Sequence, residues 1–421
     1  MSPRADLPSP RTELQAFLVD GLVDALPRGG SVSFLPGIAA AESDRRTFLR
    51  AATLPCLAAC AATCLQKWLF LPLEALPLTE DDSKFRVEAS FYEKLPAKTV
   101  RCKLCPRECV VEDGKRGYCR VRENHAGTYY SLVHSRVCAA HIDPIEKKPF
   151  FHFYPGAVAF SVATAGCNVN CKFCQNWEIS QAKPEELPAS YLSPKMAAGT
   201  AQRNSCPVVA FTYSEPTVFN EYVTDAADAA RAQGVKSVVV SNGFIQQTPL
   251  KNLCRHVDAI KIDLKSFSPE YYSSVVNGEL QPVLDTLVTI RGLGKWLEIV
   301  YLVVPTLNDS DKGFRDLANW IKSNLGAEVP IHFTRFHPLY LLKNLPPTPV
   351  ETLERAKAIA DAEGLHYAYI GNVPGHPAEN TYCPKCRRLL IERAGFTVAQ
   401  NHVTKGKCEY CHNPIPGVWK N

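Results

Sequence analysis

The chain has no tract of lysine and arginine, and its net charge of +5 is spread over 421 residues. Charge alone therefore gives no strong nucleic-acid signal, because a polyanion footprint needs basic residues gathered on one face. An apolar run long enough for a confident transmembrane span of about 20 residues is missing too. A mildly apolar stretch at 51–65 ends at Gln66 and Lys67, which leaves membrane association open. What remains, 46% hydrophobic and 21% charged residues, is an ordinary globular composition for one large domain with small modules.

Cysteine departs from this ordinariness, with 17 residues, of which 11 fall into three spaced groups. Cys167, Cys171 and Cys174 form a C-x3-C-x2-C array just after a strand-like run. Zinc sites usually bring four ligands in two knuckles, whereas a [4Fe-4S] cube takes four cysteines. Three thiolates on such a cube leave one iron open for an external ligand, and chemistry is expected there. Cys383-x2-Cys386 and Cys408-x2-Cys411, separated by 21 residues, have the pattern of a zinc ribbon, in which two knuckles close a tetrahedral site. Cys102, Cys105, Cys109 and Cys119 supply four more ligands, with Pro106, Gly114 and Gly117 permitting tight turns. Four thiolates suit zinc, which is preferred, and also a second iron–sulfur cluster; spacing does not choose between them. Zinc would hold the fold, whereas a cluster would relay electrons. Paired knuckles read as metal sites rather than disulfides and require a reducing compartment. Cys138, Cys206 and Cys254 read as buried apolar thiols.

Along the chain, residues 1–42 are rich in Pro, Ala and Gly without a period and read as a flexible extension. Residues 43–76 carry Ser43-Asp44-Arg45-Arg46-Thr47-Phe48-Leu49-Arg50 and then the apolar stretch, which resembles a twin-arginine export signal or a short anchor. Residues 85–150 make a Cys-rich metal-binding module. From 157 to 375, β-branched apolar runs at 157–164, 207–213, 237–242, 259–264, 297–305, 331–336 and 366–370 alternate with helical patterns, among them 217–233, 310–324 and 350–363. The order predicts an α/β fold, a partial or complete parallel (β/α) barrel, with the Cys-rich module before it and a zinc-ribbon module at 380–421 behind. Barrel active sites assemble at the carboxyl ends of strands. The cysteine trio, Glu215, Asn242, Asp263, Lys265, Thr306, Asn308, His337 and Asn372 all stand at or just past such ends.

With Phe173 between its last two cysteines, the trio resembles the cluster loop of radical S-adenosylmethionine (SAM) enzymes. Cys102-Lys103-Leu104-Cys105-Pro106-Arg107, Gly117-Tyr118-Cys119-Arg120-Val121-Arg122-Glu123-Asn124, Asp143-Pro144-Ile145-Glu146-Lys147-Lys148-Pro149 and Gln175-Asn176-Trp177 follow in order. Together with the closing stretch through Trp419 they resemble the radical enzyme of the AmmeMemoRadiSam system, related to pyruvate formate-lyase activating enzymes. The resemblance implies a radical SAM barrel, a [4Fe-4S] cluster on the trio, and SAM bound at the open iron by its amine and carboxylate. One electron would then cleave SAM to a 5′-deoxyadenosyl radical.

The same resemblance implies roles for single residues. Glu215 stands where the family carries a Gly-Gly-Glu loop for the methionine amine, although both glycines are absent here; read by itself it is an acid at a helix N-terminus. Asn242, in Ser241-Asn242-Gly243, becomes a ribose contact or a simple turn residue. Asp263-Leu264-Lys265 resembles the Asp-Leu-Lys motif of glycyl-radical activating enzymes, whose lysine helps hold the cofactor carboxylate; alone it reads as a strand-end ion pair. His337 lies against the adenosine or caps its strand.

The expected function is an activating-enzyme-like oxidoreductase whose radical abstracts hydrogen from a protein or small molecule. A nearby alternative is an activase that installs a glycyl radical on a partner polypeptide. A third, from another class, is a non-catalytic zinc-ribbon protein that binds RNA or protein through Lys385, Arg387, Arg388, Lys405 and Lys407, a modest patch. Implied partners are an electron donor such as flavodoxin or ferredoxin, and Memo-type and Amme-type proteins. Cytoplasmic SAM and reductants favour a cytoplasmic location, with membrane association or export through 43–76 as the rival.

Overall fold

The computed structural model describes residues 82–420, so the readings of 1–42 and 43–76 lie outside the described residues. Val-Ala-Phe-Ser-Val-Ala at 158–163 is apolar at nearly every position, and all but its first residue are buried. Such a run suits a strand covered on both faces. It is the second of eight strands in one sheet: β1 (Ala139–Pro144), β2 (Val158–Ala163), β3 (Val208–Phe211), β4 (Lys236–Ser241), β5 (Ala259–Asp263), β6 (Trp296–Val303), β7 (Ile331–Arg335) and β8 (Ala368–Gly371). They lie across the sheet in chain order, and β8 does not pair with β1. The barrel is therefore partial. β1 runs antiparallel to β2, and every later pairing is parallel.

The expected runs coincide with β2–β8 to within two residues. β1 was not expected; it is a half-exposed edge strand carrying His141 and Asp143, without a clean apolar period. Between the parallel strands run α1 (Pro194–Arg203), α2 (Asn220–Ala232), α3 (Gln247–His256), α4 (Leu280–Gly292), α5 (Asp311–Asn324) and α6 (Val350–Ala362). Local chemistry starts several of them. Ser193 accepts a hydrogen bond from Met196 N with Pro194 in the first turn, and Ser310 accepts one from Gly313 N; both satisfy amides that a helix start leaves open. Among the described residues no helix is long and apolar enough to cross a membrane.

Two small antiparallel sheets precede β1. One is built from Val87–Glu88, Thr128–Ser131 and Arg122–His125, the other from Tyr92–Lys94, Val100–Cys102 and Val110–Val111. After β8, Thr381–Tyr382, Leu389–Ala394 and Thr397–Asn401 make a third, with Val403–Thr404 paired to Lys407–Cys408 beside it. This last module packs Cys383, Leu390, Ile391, Cys408 and Ile415 against Phe151, Tyr367 and Tyr369. The buried Arg393 guanidinium fastens it further by donating to Phe151 O at 2.9 Å.

Candidate active site and metal centres

The loop that carries the trio leaves β2 through Gly166, which has φ +99°, and a Cβ there would lie 2.6 Å from Val121 Cγ1 and 2.9 Å from Cys119 O. Only glycine fits this turn. Cys167, Cys171 and Cys174 then face a cavity of about 430 Å³, a size that suits a small-molecule ligand. Burial pushes all three thiols upward, Cys171 to about 12 with Lys265 working in the opposite direction. Thiolates in such a place need a cation to hold them, and a metal supplies one.

Glu215, Asn242, Asp263 and Lys265 share the walls of the same cavity, as does Asn372. Glu215 Oε1 accepts from Thr217 N at 2.9 Å and Ser241 Oγ at 2.6 Å, and Oε2 accepts from Asn242 N at 2.8 Å. Its bare-sequence role, an acid at a helix start, is thus present in the structure. A carboxylate offers about four lone-pair directions, so room for one further donor remains on Oε2. Burial raises the Glu215 carboxyl, against the bonds from Asn242, Ser241 and Thr217.

Asn242 donates to Asn168 Oδ1 at 2.9 Å and lies 3.8 Å from Cys167 Sγ, while its own oxygen accepts from Phe244 N. Its side chain is thus tied to the cysteine loop, and its amide borders the Cys167 sulfur. Asp263 bridges two lysines, Lys261 and Lys265, the latter at 3.0 Å. Burial opposes ionisation of Asp263, but the two ammonium groups overcome it and bring the carboxyl to about 2. Burial likewise works against Lys265, and Asp263 with the Cys171 sulfur outweighs it, so the ammonium is held above its usual range. The strand-end ion pair exists, and it leaves Lys265 charged on the cavity wall.

His337 is exposed just past β7 and is not among the cavity-lining residues. A strand-end position is not enough to bring a side chain inward. Asn308 is spent on backbone, donating to Lys265 O and Leu302 O and accepting from Val304 N.

Sequence reasoning missed a polar network on the near wall. Asp143 holds Lys147 at 2.9 Å and Lys148 at 2.6 Å, and Tyr213 donates to the same carboxylate. Lys148 is only 3% exposed. Burial lowers it to about 8 even though Asp143 pulls the other way. The Asp143-Pro-Ile-Glu-Lys-Lys run was the signal, since lysines four and five residues after an aspartate can both return to it across one turn. Ser214 Oγ is buried without a hydrogen-bond partner on the same wall. Phe396 reaches the cavity from the hairpin between Leu389–Ala394 and Thr397–Asn401.

The two quartets differ. Cys383, Cys386, Cys408 and Cys411 are, among the described residues, the one group of three or more Cys, His or carboxylate ligand atoms lying within 4.8 Å of one another. Cys383 and Cys411 sulfurs are 3.6 Å apart, Cys386 and Cys408 sulfurs 3.7 Å. Cys102, Cys105, Cys109 and Cys119 converge on one small enclosed space but are not gathered so tightly. Of the remaining thiols among the described residues, Cys206 and Cys254 are buried and Cys138 is half-buried.

Residues 161–318 match the family model described as Radical SAM superfamily. An uncharacterized protein of Methanocaldococcus jannaschii is 46% identical over 330 residues, covering 78% of this chain and 98% of its own. A pyruvate formate-lyase-activating enzyme of Clostridium pasteurianum is 25% identical over 182 residues, covering 42% of this chain and 75% of its own. Among solved structures, a radical SAM methyltransferase from Sphaerobacter thermophilus matches with a TM-score of 0.41 and 17% identity, covering 52% of this chain and 67% of that one.

Proposed function

Since the chain belongs to the radical SAM superfamily and is homologous to pyruvate formate-lyase-activating enzymes, we propose that it reductively cleaves SAM and abstracts hydrogen from a protein or small-molecule substrate. One observation carries this reading: three thiols, a charged lysine and a buried unpaired hydroxyl, Ser214, face one cavity of about 430 Å³. That donor set fits a cluster with an open iron and a polar ligand beside it. Cys167, Cys171 and Cys174 would hold the [4Fe-4S] cluster. The chemistry that group supplies when bound is one-electron cleavage of SAM to methionine and a 5′-deoxyadenosyl radical, which takes a hydrogen atom from carbon.

The chain's own residues bind, orient and exclude water. Lys265, oriented by Asp263, supplies a fixed positive charge for a carboxylate. Glu215 offers its remaining acceptor position to an ammonium group, and Ser214 its free hydroxyl. Asn242 borders Cys167 and so bears on the electron affinity of whatever that sulfur ligates. Phe396 closes part of the wall with apolar surface.

At the C-terminal quartet, sulfur separations of 3.6 and 3.7 Å support zinc. A tetrahedron with Zn–S of about 2.3 Å has edges of about 3.8 Å. The relationship to a named activating enzyme supports a second reading, in which the hydrogen comes from a glycine of a partner polypeptide.

The test is anaerobic reconstitution with iron and sulfide, followed by SAM and dithionite. Formation of 5′-deoxyadenosine in the unmodified protein, and its loss in Cys171→Ala, is the expected result. A reconstituted protein that binds iron at the trio and never yields 5′-deoxyadenosine would overturn the reading. A stable glycyl doublet in the electron paramagnetic resonance of a co-purified partner would select the activase form.

A further inference from the structure

Cys102 and Cys105 stand at the end of one short strand and the turn after it, Cys109 precedes the next strand, and Cys119 lies in the turn before Arg122. All four border a common enclosed space of about 10 Å³, together with Gly117, Arg122, Tyr129 and Asn168. That is room for the centre of about one water-sized sphere. A mononuclear zinc leaves none, because at about 2.3 Å from the ion the four sulfurs close around it. The C-terminal quartet has that closed geometry; this one is wider, as is the trio. In a cubane each thiolate binds a different iron, so its sulfurs stand apart around a core that fills the space between them.

The surroundings agree with a buried anionic centre. Arg122 is fully buried beside the sulfurs, and its guanidinium is fixed by Glu221 and by Val218 O. Tyr118 N donates to Cys109 Sγ at 3.5 Å, and hydrogen bonds to ligand sulfurs are one way proteins tune such centres. Gly117 has no room for a side chain, since a Cβ there would lie 2.6 Å from Tyr129 Oη and 3.8 Å from Cys109 Sγ.

The space also adjoins the trio. Arg107, between Cys105 and Cys109, donates to Asn168 O at 2.5 Å, one residue past Cys167, and stacks 3.6 Å above the Tyr118 ring. Asn168 lines the quartet's enclosure and accepts from Asn242, which touches Cys167. Cys119 O packs against the Gly166 turn from which the trio loop starts.

We propose that Cys102, Cys105, Cys109 and Cys119 hold a second iron–sulfur cluster, of the four-iron type, which stores and relays electrons for the centre at the trio. In the relay a one-electron donor protein of the flavodoxin or ferredoxin class is oxidised by one electron and the quartet's cluster is reduced by one. That electron passes to the trio's cluster, with no bond made or broken and no proton moved. The binding site stands on geometry alone; the relay rests on the proposed radical function.

The unmodified full-length chain, reconstituted anaerobically with iron, sulfide and zinc, decides the site by metal count. The expected contents are about eight irons and about one zinc per chain, from two four-iron clusters and one closed tetrahedral site. About four irons and about two zincs would overturn the proposal without any variant. Replacing the trio by Cys167→Ala, Cys171→Ala and Cys174→Ala should leave about four irons and a reduced-cluster paramagnetic resonance signal. Adding Cys102→Ala and Cys105→Ala should remove both while zinc is unchanged; iron absent already from the trio variant would overturn the site. For the relay, Cys102→Ser with Cys105→Ser should slow reduction of the trio's cluster by reduced flavodoxin by an order of magnitude and leave reduction by dithionite nearly unchanged. Equal slowing with both reductants would overturn the relay. Eight irons without 5′-deoxyadenosine would refute the proposed function and spare the site; four irons and two zincs with 5′-deoxyadenosine would do the reverse.

Discussion

The two cysteine quartets offer the same four thiols, each opening on a C-x2-C pair, yet they build different rooms. At the C-terminal end the sulfurs meet at 3.6 and 3.7 Å, and Cys386 and Cys411 remain half-exposed. At the N-terminal end they stand apart around an enclosed space, beside a buried Arg122–Glu221 pair and next to the trio's loop. If the two quartets hold the metals proposed for them, ligand type does not distinguish the sites, and the separation of the sulfurs and the charge behind them would.

Removing the closed site should give the largest effect. Cys408→Ala should abolish the proposed zinc, and with it an apparent binding energy of about 10–16 kcal/mol that holds a module with little core of its own. Hydrogen exchange across 381–411 should rise to that of an unfolded segment while bound iron stays constant. Iron that falls in parallel would show that the two ends are not independent. Arg122→Met attacks the other quartet. It strands Glu221 without its partner in a buried place, a change that costs about 3–5 kcal/mol, read as a lower urea midpoint with protection of 381–411 retained.

Gly166→Ala probes the seam between quartet and trio. A left-handed φ and contacts of 2.6 and 2.9 Å at the new Cβ should destabilise the chain by about 2–4 kcal/mol. Iron at both cysteine loops should drop together, whereas zinc should not. Loss confined to the trio would separate the loops. The smallest effect involves no sulfur and so calibrates the others. Burial brings the Lys148 ammonium down to about 8 from the ordinary 10.5 of lysine, so between those pH values the unfolded chain binds more protons. Stability should therefore rise by roughly 1–3 kcal/mol from pH 8 to pH 10.5, and Lys148→Met should remove that rise in urea titrations. Asp143, Lys147, Tyr213 and Lys261 surround this group, and a slope that survives Lys148→Met belongs to one of them.

Much of the frame was legible because buried parallel strands write long apolar runs, as Val-Ala-Phe-Ser-Val-Ala at 158–163 does. The trio, Glu215, Asn242, Asp263 and Lys265 were legible because β/α folds put chemistry at strand ends. The same rule overreached at His337, which stays in solvent, and at Asn308, which is consumed by backbone. Tyr213 and Phe396 were invisible for another reason. They reach the cavity from a loop and a distant hairpin, and no local period records that convergence. Nor does the shared C-x2-C opening of Cys102-x2-Cys105 and Cys383-x2-Cys386 tell that only the second quartet gathers its sulfurs tightly.

Phe396 stands 47% exposed at the tip of a hairpin whose base is cinched by the C-terminal quartet, and it still helps wall the cavity that the trio faces. The tail of the chain is thereby a doorpost. On the proposed function, exchanging residues 394–397 should alter access to the cavity and leave the three cysteines beneath it in place, so that choice of substrate and cleavage of SAM would respond to different substitutions.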